Sequence, residues 1–325
     1  MNTPEPRDFS TLQEAIVYFS SPDNCVAYMV ARRWPSGVVE CPTCGRTDAK
    51  YIAKRRVWQC KTRHAKCQFS VKVGTIMEDS PIALDKWLLA MWMLANCRNG
   101  VSSYEISRAV DVTQKSTWFM LHRIRAAMKL VHDPKWPIGN SPANQVEVDE
   151  TYVGGKAKNK HLSNRKQDEP KAIVMGMLTR TTREVRAKVI PNAKRETLQA
   201  EILKHVGWGS HVYTDQHYGY DDLDKLQNFT HKTVNHTTEY VSGKVHTQGI
   251  ENFWSLLKRS LTGTYVAVEP FHLDAYVDEQ VFRYNNRKSK KTDAQRFDKL
   301  ASQVVGRRLT YAELTGKPGA TPRPF

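Results

Sequence analysis

Three acidic residues occupy positions from which carboxylates could share metal ions. Asp149 lies in VEVDETYVGG, Asp215 closes HVYTD, and Glu251 stands in HTQGIENFWSLLKR, just ahead of an apolar helical face. Taken singly, each has an ordinary role: a solvated strand residue, a turn-former, and a partner for the positive end of a helix dipole. Their spacing argues for more. Thirty-five residues lie between Asp215 and Glu251, and Lys258 follows Glu251 by about two helical turns, on the same face. If the three acids converge in the fold, their repulsion calls for divalent cations among them, Mg2+ or Mn2+. Two such ions suit phosphodiester chemistry, one activating an attacking water or 3′-hydroxyl and the other stabilising the leaving oxygen.

A second chemistry is carried by sulfur. Cys41-Pro-Thr-Cys44-Gly forms a C-x2-C knuckle, and WQCKTRHAKCQF supplies Cys60, His64 and Cys67 beginning fifteen residues later. Zn2+ needs four ligands in a tetrahedron, and strand-like runs between the knuckles fit a zinc ribbon. The expected set is Cys41, Cys44, Cys60 and Cys67, with His64 as the alternative fourth ligand. A ribbon of this size could hardly fold without its metal. Cys25 and Cys97 sit in apolar surroundings and read as buried small hydrophobes.

The elements that must position these groups separate by texture. Residues 1–35 form a helical lead-in, 36–78 the zinc ribbon, and 79–132 a helical module. The module's SSYEISRAV, turn DVTQ and following helix have helix-turn-helix proportions. In such a motif the second helix lies in the DNA major groove, so Gln114, Lys115, Ser116, His122, Arg123 and Arg125 are the candidate contacts. The stretch HDPKWPIGNSPAN reads as a linker. Beyond it, strand-like VEVDETYV, AIVMGMLTR and VRAKVI precede the amphipathic helix RETLQAEILKHV; HVYTD, a short helix YGYDDLDKL and HKTVNH follow. This order predicts an α/β domain over 145–290, a mixed sheet flanked by helices, and residues 291–325 form a C-terminal extension. Within VEVDE, alternation sets Val146, Val148 and Glu150 on one face, with Glu147 and Asp149 on the other.

Composition limits the partners. The 325 residues carry 49 Lys and Arg against 33 Asp and Glu, a formal net charge of +16. Such an excess favours a polyanion, and nucleic acid first. No apolar run is long enough to span a membrane, and the N-terminus lacks the pattern of a signal peptide. A cytoplasmic, nucleoid-associated protein is expected.

Taken together, CPTCG, FSVKVGTIMEDSPIALDKWLLAMW, VEVDETYVGGK, YTDQHYGY and HTQGIENFWSLLKRSLTGTY resemble the DDE transposases of bacterial insertion sequences, in the group with an N-terminal zinc ribbon. The resemblance runs from about residue 36 to residue 290. It implies an RNase H-like catalytic domain built on a mixed five-stranded sheet, with Asp149, Asp215 and Glu251 as ligands of Mg2+ or Mn2+. Asn252 is the alternative third ligand, because some members of the group use Asn there. Lys258 corresponds to the basic residue after the third acid, which contacts terminal DNA. The implied activity is transposition: binding of double-stranded terminal inverted repeats, DNA cleavage and strand transfer into target DNA, by a homo-oligomer on paired ends. A regulator that lost catalysis and an RNase H-like nuclease without strand transfer are the competing readings. The Lys/Arg-rich loop GGKAKNKHLSNRKQDEPK is expected to close on DNA, and Trp254 to pack in the core.

Overall fold

The computed structural model describes residues 9–130, 137–139, 144–154, 171–226, 229–234, 246–287 and 291–316. The basic loop, most of the linker and the end of the tail therefore lie outside the described residues. The chain divides into two compact units, residues 1–129 with 286–325, and residues 130–285.

In the first unit, α1 (Leu12–Phe19) and α2 (Pro22–Arg33) start at hydroxyl caps. Thr11 accepts the Glu14 N–H and Ser21 the Asn24 N–H, satisfying donors that the first turn leaves free. Cys25 is fully buried, and burial pushes its thiol up to about 12, as expected of an inert core cysteine. The antiparallel strands β1 (Lys50–Ile52), β2 (Val57–Gln59) and β3 (Gln68–Phe69) form a small sheet in that order. The run FSVKVG leaves the sheet after Phe69. Its backbone turns back on itself through Val73 N–H to Ser70 O and Thr75 N–H to Lys72 O.

Three helices follow: α3 (Leu84–Asn96), α4 (Ser103–Val110) and α5 (Gln114–Met128). A capping box between Ser102 and Glu105 opens α4, and Asp111 ends it in the left-handed conformation at φ 49°. The expected helix, turn and second helix are present. The expected reach of the second helix is not. Lys115 and Ser116 are exposed and Gln114 is half-buried, its Nε2 donating to Ser103 Oγ. His122, Arg123 and Arg125, however, are only 2%, 4% and 1% exposed, so they are corrected from DNA contacts to interior residues. Arg123 donates to the Glu78 carbonyl at 2.5 Å and its guanidinium lies over the Phe119 ring. The physical reason is that α5 is covered on more than one side, so its basic residues supply buried donors instead of a phosphate-binding stripe.

The second unit is built on a five-stranded mixed sheet. Strands β4 (Gln145–Val153), β5 (Ala172–Thr179) and β6 (Val185–Ile190) are antiparallel neighbours. Strand β7 (His211–Asp215) runs parallel to β4, and β8 (Thr230–Val234) parallel to β7. The order β6-β5-β4-β7-β8 is the RNase H-like arrangement. Helix α6 (Arg195–His205) covers one face, where Val146, Val148, Met175 and Met177 meet Leu198, Ile202 and Tyr220. Helices α7 (Gln248–Ser260) and α8 (Leu273–Asn285) cover the other, where Val174, Leu178 and Val185 meet Ile250, Phe253, Trp254 and Val277. The short helix expected at YGYDDLDKL is a pair of 3-10 turns, Tyr218–Tyr220 and Leu223–Lys225. Back in the first unit, α9 (Asp293–Ser302) stacks Phe297 on Tyr28 with centroids 5.4 Å apart; the last helix is α10 (Tyr311–Leu314). Among the described residues no helix is long and apolar enough to cross a membrane.

The burial pattern separates two kinds of cation on α5. Arg123→Ala is expected to lower folding stability by about 2 kcal/mol, through lost packing and an orphaned carbonyl. Lys115→Ala is expected to leave the melting temperature unchanged and to weaken DNA binding. Thermal melts and a DNA titration on both variants check this.

Candidate active site and metal centre

Strand β4 carries its acids onto both faces of the sheet. Its parallel pairing with β7 runs Gln145 to His211, Val146 to Val212 and Glu147 to Tyr213. Two residues further along each strand, Asp149 and Asp215 come level, on strands about 4.8 Å apart. Burial pushes the Asp149 carboxyl up to about 7, with the charges of Glu150 and Asp215 adding to the rise. Opposing this, the Trp254 indole N–H donates to Asp149 Oδ2 at 2.8 Å. Gly176 makes that contact possible. It pairs with Asp149 across the β4–β5 ladder, and a Cβ there would stand 2.6 Å from the Trp254 ring. Trp254 is thus the core residue expected, and also a donor to the first acid.

Glu150 points to the opposite face. It accepts from the buried Tyr220 hydroxyl and has His217 Nδ1 at 4.0 Å. Burial raises its pKa, and Asp215 adds to the rise. Asp215 itself accepts the His217 N–H at 3.2 Å.

The third acid lies on α7. Glu251, Asn252 and Lys258 are all exposed, while Ile250, Phe253, Trp254 and Leu257 are buried against the sheet. At about 100° per residue, Glu251 and Lys258 fall within about 60° of Trp254, and Asn252 about 160° away, on the outer side of the helix. The Glu251 carboxylate accepts from Thr247 Oγ1 at 2.8 Å. The three acids do not close into one cluster here. Among the described residues, only Cys41, Cys44, Cys60 and His64 bring three or more ligand atoms all within 4.8 Å of one another.

That group forms in the ribbon. Cys44 Sγ lies 3.6 Å from Cys60 Sγ, and Cys41 Sγ 3.4 Å from His64 Nε2. These separations fit the edges of a tetrahedron with Zn–S near 2.3 Å and Zn–N near 2.0 Å, roughly 3.5 to 3.8 Å. The Arg46 backbone N–H pulls the Cys44 thiol down to about 6, toward the thiolate that binds metal. The preference for Cys67 over His64 is therefore corrected. The Cys67 backbone is tied into the strand ladder, its carbonyl accepting from Cys60 N–H at 2.7 Å and its N–H donating to His64 O. The six residues between the cysteines loop out and return His64 to the ligand group.

Two residues of the acid-bearing sheet had no assigned role in the sequence. Glu147 is fully buried, two residues before Asp149 on the same face, and Arg180 donates to it at 2.7 Å. A charged residue flanked by buried valines in VEV was the available signal; its partner, 33 residues away, was not visible.

Residues 143–285 match the model of the ISXO2-like transposase domain, and residues 20–68 that of the transposase zinc-ribbon domain. The chain is 31% identical over 251 residues to an uncharacterized protein in transposable element ISH50 of Halobacterium salinarum, covering 71% of this chain and 80% of that one. It is also 35% identical over 102 residues to an uncharacterized transposase-like protein of Haemophilus influenzae, covering 31% of this chain and 81% of that one.

The ribbon geometry has a direct test. His64→Ala is expected to lose the bound zinc and Cys67→Ser to keep it, measured as zinc per chain by atomic absorption. Asp149 has a signed pH dependence. Its folded pKa lies above the ordinary carboxyl value, so the folded state holds a proton that the unfolded chain has released, and metal-free stability falls as pH rises from about 4 to about 7. Asp149→Asn keeps an acceptor for Trp254 and removes the charge. The variant is expected to be more stable than the metal-free parent at pH 7.5, by on the order of 4 kcal/mol for a carboxyl pushed up to about 7, and equally stable near pH 4; denaturant titrations at both values check it.

Proposed function

The chain belongs to the ISXO2-like transposases of insertion sequences, and on that premise we propose that it binds the terminal inverted repeats of its element and catalyses divalent-cation-dependent cleavage and strand transfer of DNA. The observation that carries this reading is the levelling of Asp149 and Asp215 on neighbouring parallel strands, with α7 bonded to Asp149 through Trp254. A carboxyl held up to about 7 beside further acids is a donor set short of positive charge, which fits a divalent cation. Asp149 and Asp215 would hold Mg2+ or Mn2+, and Glu251 would complete the set. Asn252 is the weaker candidate, because it turns away from the Trp254 side of the helix. When bound, the cations supply activation of the attacking oxygen and stabilisation of the leaving one.

The chain's own residues do the rest. Trp254 orients Asp149, and Lys258, on the flank of α7 shared with Glu251, meets the phosphates of the DNA end. Water attacks first and leaves a 3′-hydroxyl, which then attacks target DNA; no covalent protein–DNA intermediate is needed. The net charge of +16 draws the polyanion in. End recognition falls to the ribbon and to the start of α5, half-buried Gln114 with exposed Lys115 and Ser116, and paired ends are brought together by a homo-oligomer.

Asp215→Ala is expected to abolish cleavage and strand transfer on oligonucleotide ends while end binding stays within a few-fold of the parent. Glu251→Gln is expected to match it, and Asn252→Ala to retain activity. Strand transfer separates this reading from a nuclease, and Mg2+-dependent cleavage from a non-catalytic regulator. Retained cleavage by Asp215→Ala would reject the site.

A further inference from the structure

Beside its apolar contacts, α7 is hydrogen-bonded to two side chains of one strand, β4. Glu147, with no solvent exposure, accepts the backbone N–H of Ile250 at 2.9 Å, inside the first turn of α7. Trp254, four residues along the helix, donates to Asp149, two residues along β4. The spans match: four helical residues rise about 6 Å and two strand residues advance about 6.6 Å. The helix is thus held at both contacts, in translation and in rotation, and Glu251 lies between them.

Glu147 is itself fixed. Arg180 Nε donates to it at 2.7 Å, and His246 Nδ1 stands 3.4 Å away. Arg180 also donates to Gln145 Oε1 at 2.9 Å and to the His246 carbonyl, and its guanidinium lies 4.1 Å from the Tyr213 ring centre. Gly249 leaves room for the carboxylate; a Cβ there would sit 2.7 Å from Glu147 Oε2. A buried ion pair has poor value as a source of stability. Here its carboxylate is spent on a helix terminus that carries a candidate ligand.

We propose that Glu147, held by Arg180, is a positioning residue that sets the register of α7 on β4 and thereby places the Glu251 carboxylate for the divalent cation. This rests on the reading of Glu251 as the third ligand. Outer groups that orient a metal ligand typically change metal affinity or activity by about 10- to 100-fold when removed.

The test uses the full zinc-loaded chain, with Mn2+ as the probe. Free Mn2+ is measured by electron paramagnetic resonance, DNA-end cleavage is measured in parallel, and both are taken well below each variant's melting temperature. Glu147→Ala is expected to weaken Mn2+ binding by about tenfold or more, to speed hydrogen exchange at the Ile250 amide, and to leave end binding unchanged. Glu147→Gln, whose amide oxygen still accepts from Ile250, is expected to recover most of that loss. Gly249→Ala removes no polar group and favours the helix, yet pushes the same contact apart; it is expected to weaken Mn2+ binding as Glu147→Ala does. A purely structural role would lower the melting temperature and leave Mn2+ affinity alone. Wild-type Mn2+ affinity in both Glu147→Ala and Gly249→Ala, with Glu251→Gln inactive, overturns the positioning role and spares the site. Full activity in Glu251→Gln overturns the third-ligand reading and the inference with it.

Discussion

A carboxylate taken out of water must be met by hydrogen-bond donors or give up its charge. Strand β4 carries Glu147 and Asp149 onto the face that α7 covers, and the unit's acid-bearing surface is organised around how each is met. Glu147 keeps strong donors, a guanidinium and a helix N-terminal amide. Asp149 has an indole N–H as donor, which favours its charge, but burial first and nearby acids second hold its proton to about neutral pH. One acid is thereby a fixed anchor and the other an under-compensated carboxyl. Helix α7 reads both, which is why Gly176 and Gly249, at the points of closest approach, have no side chain to spare.

The ribbon answers the same problem of scale with metal ligands. Its strands are two or three residues long, and the paired aromatics Trp58 and Phe69 supply only a small apolar centre. Three sulfurs and one imidazole drawn into a tetrahedral spacing give a cross-link that such a sheet could not replace by packing. Ligand choice here follows backbone closure. Cys67 belongs to the ladder that ends the loop, and His64 sits on the loop that the ladder closes.

Basicity is divided between surface and interior. Arg123, Arg125 and Arg283 are almost wholly buried, and Arg283 pairs with the buried Glu279. Such arginines satisfy interior carbonyls and carboxylates, so a net charge counted from the sequence overstates what faces a polyanion.

The alternation of VEVDE, the knuckle CPTCG and the apolar phase of α7 are local patterns, and local patterns were legible: strands, helix faces, the mixed sheet and the α7 phase that sets Glu251 apart from Asn252 follow from periods of 2 and 3.6 residues. Sequence by itself therefore determined the α/β class, the ribbon, the helix-turn-helix proportions and the family. Tertiary structure alone decided which partner each charge meets. Spacing could not choose between His64 and Cys67, because a six-residue loop closes either way until its backbone hydrogen bonds are known. Nor could it tell Lys115 from Arg123, since both lie on one helix and burial is set by what packs around it. The strand register that levels Asp149 with Asp215, and the pairing of Glu147 with Arg180, join residues far apart in the chain, and such contacts are fixed only when the sheet assembles.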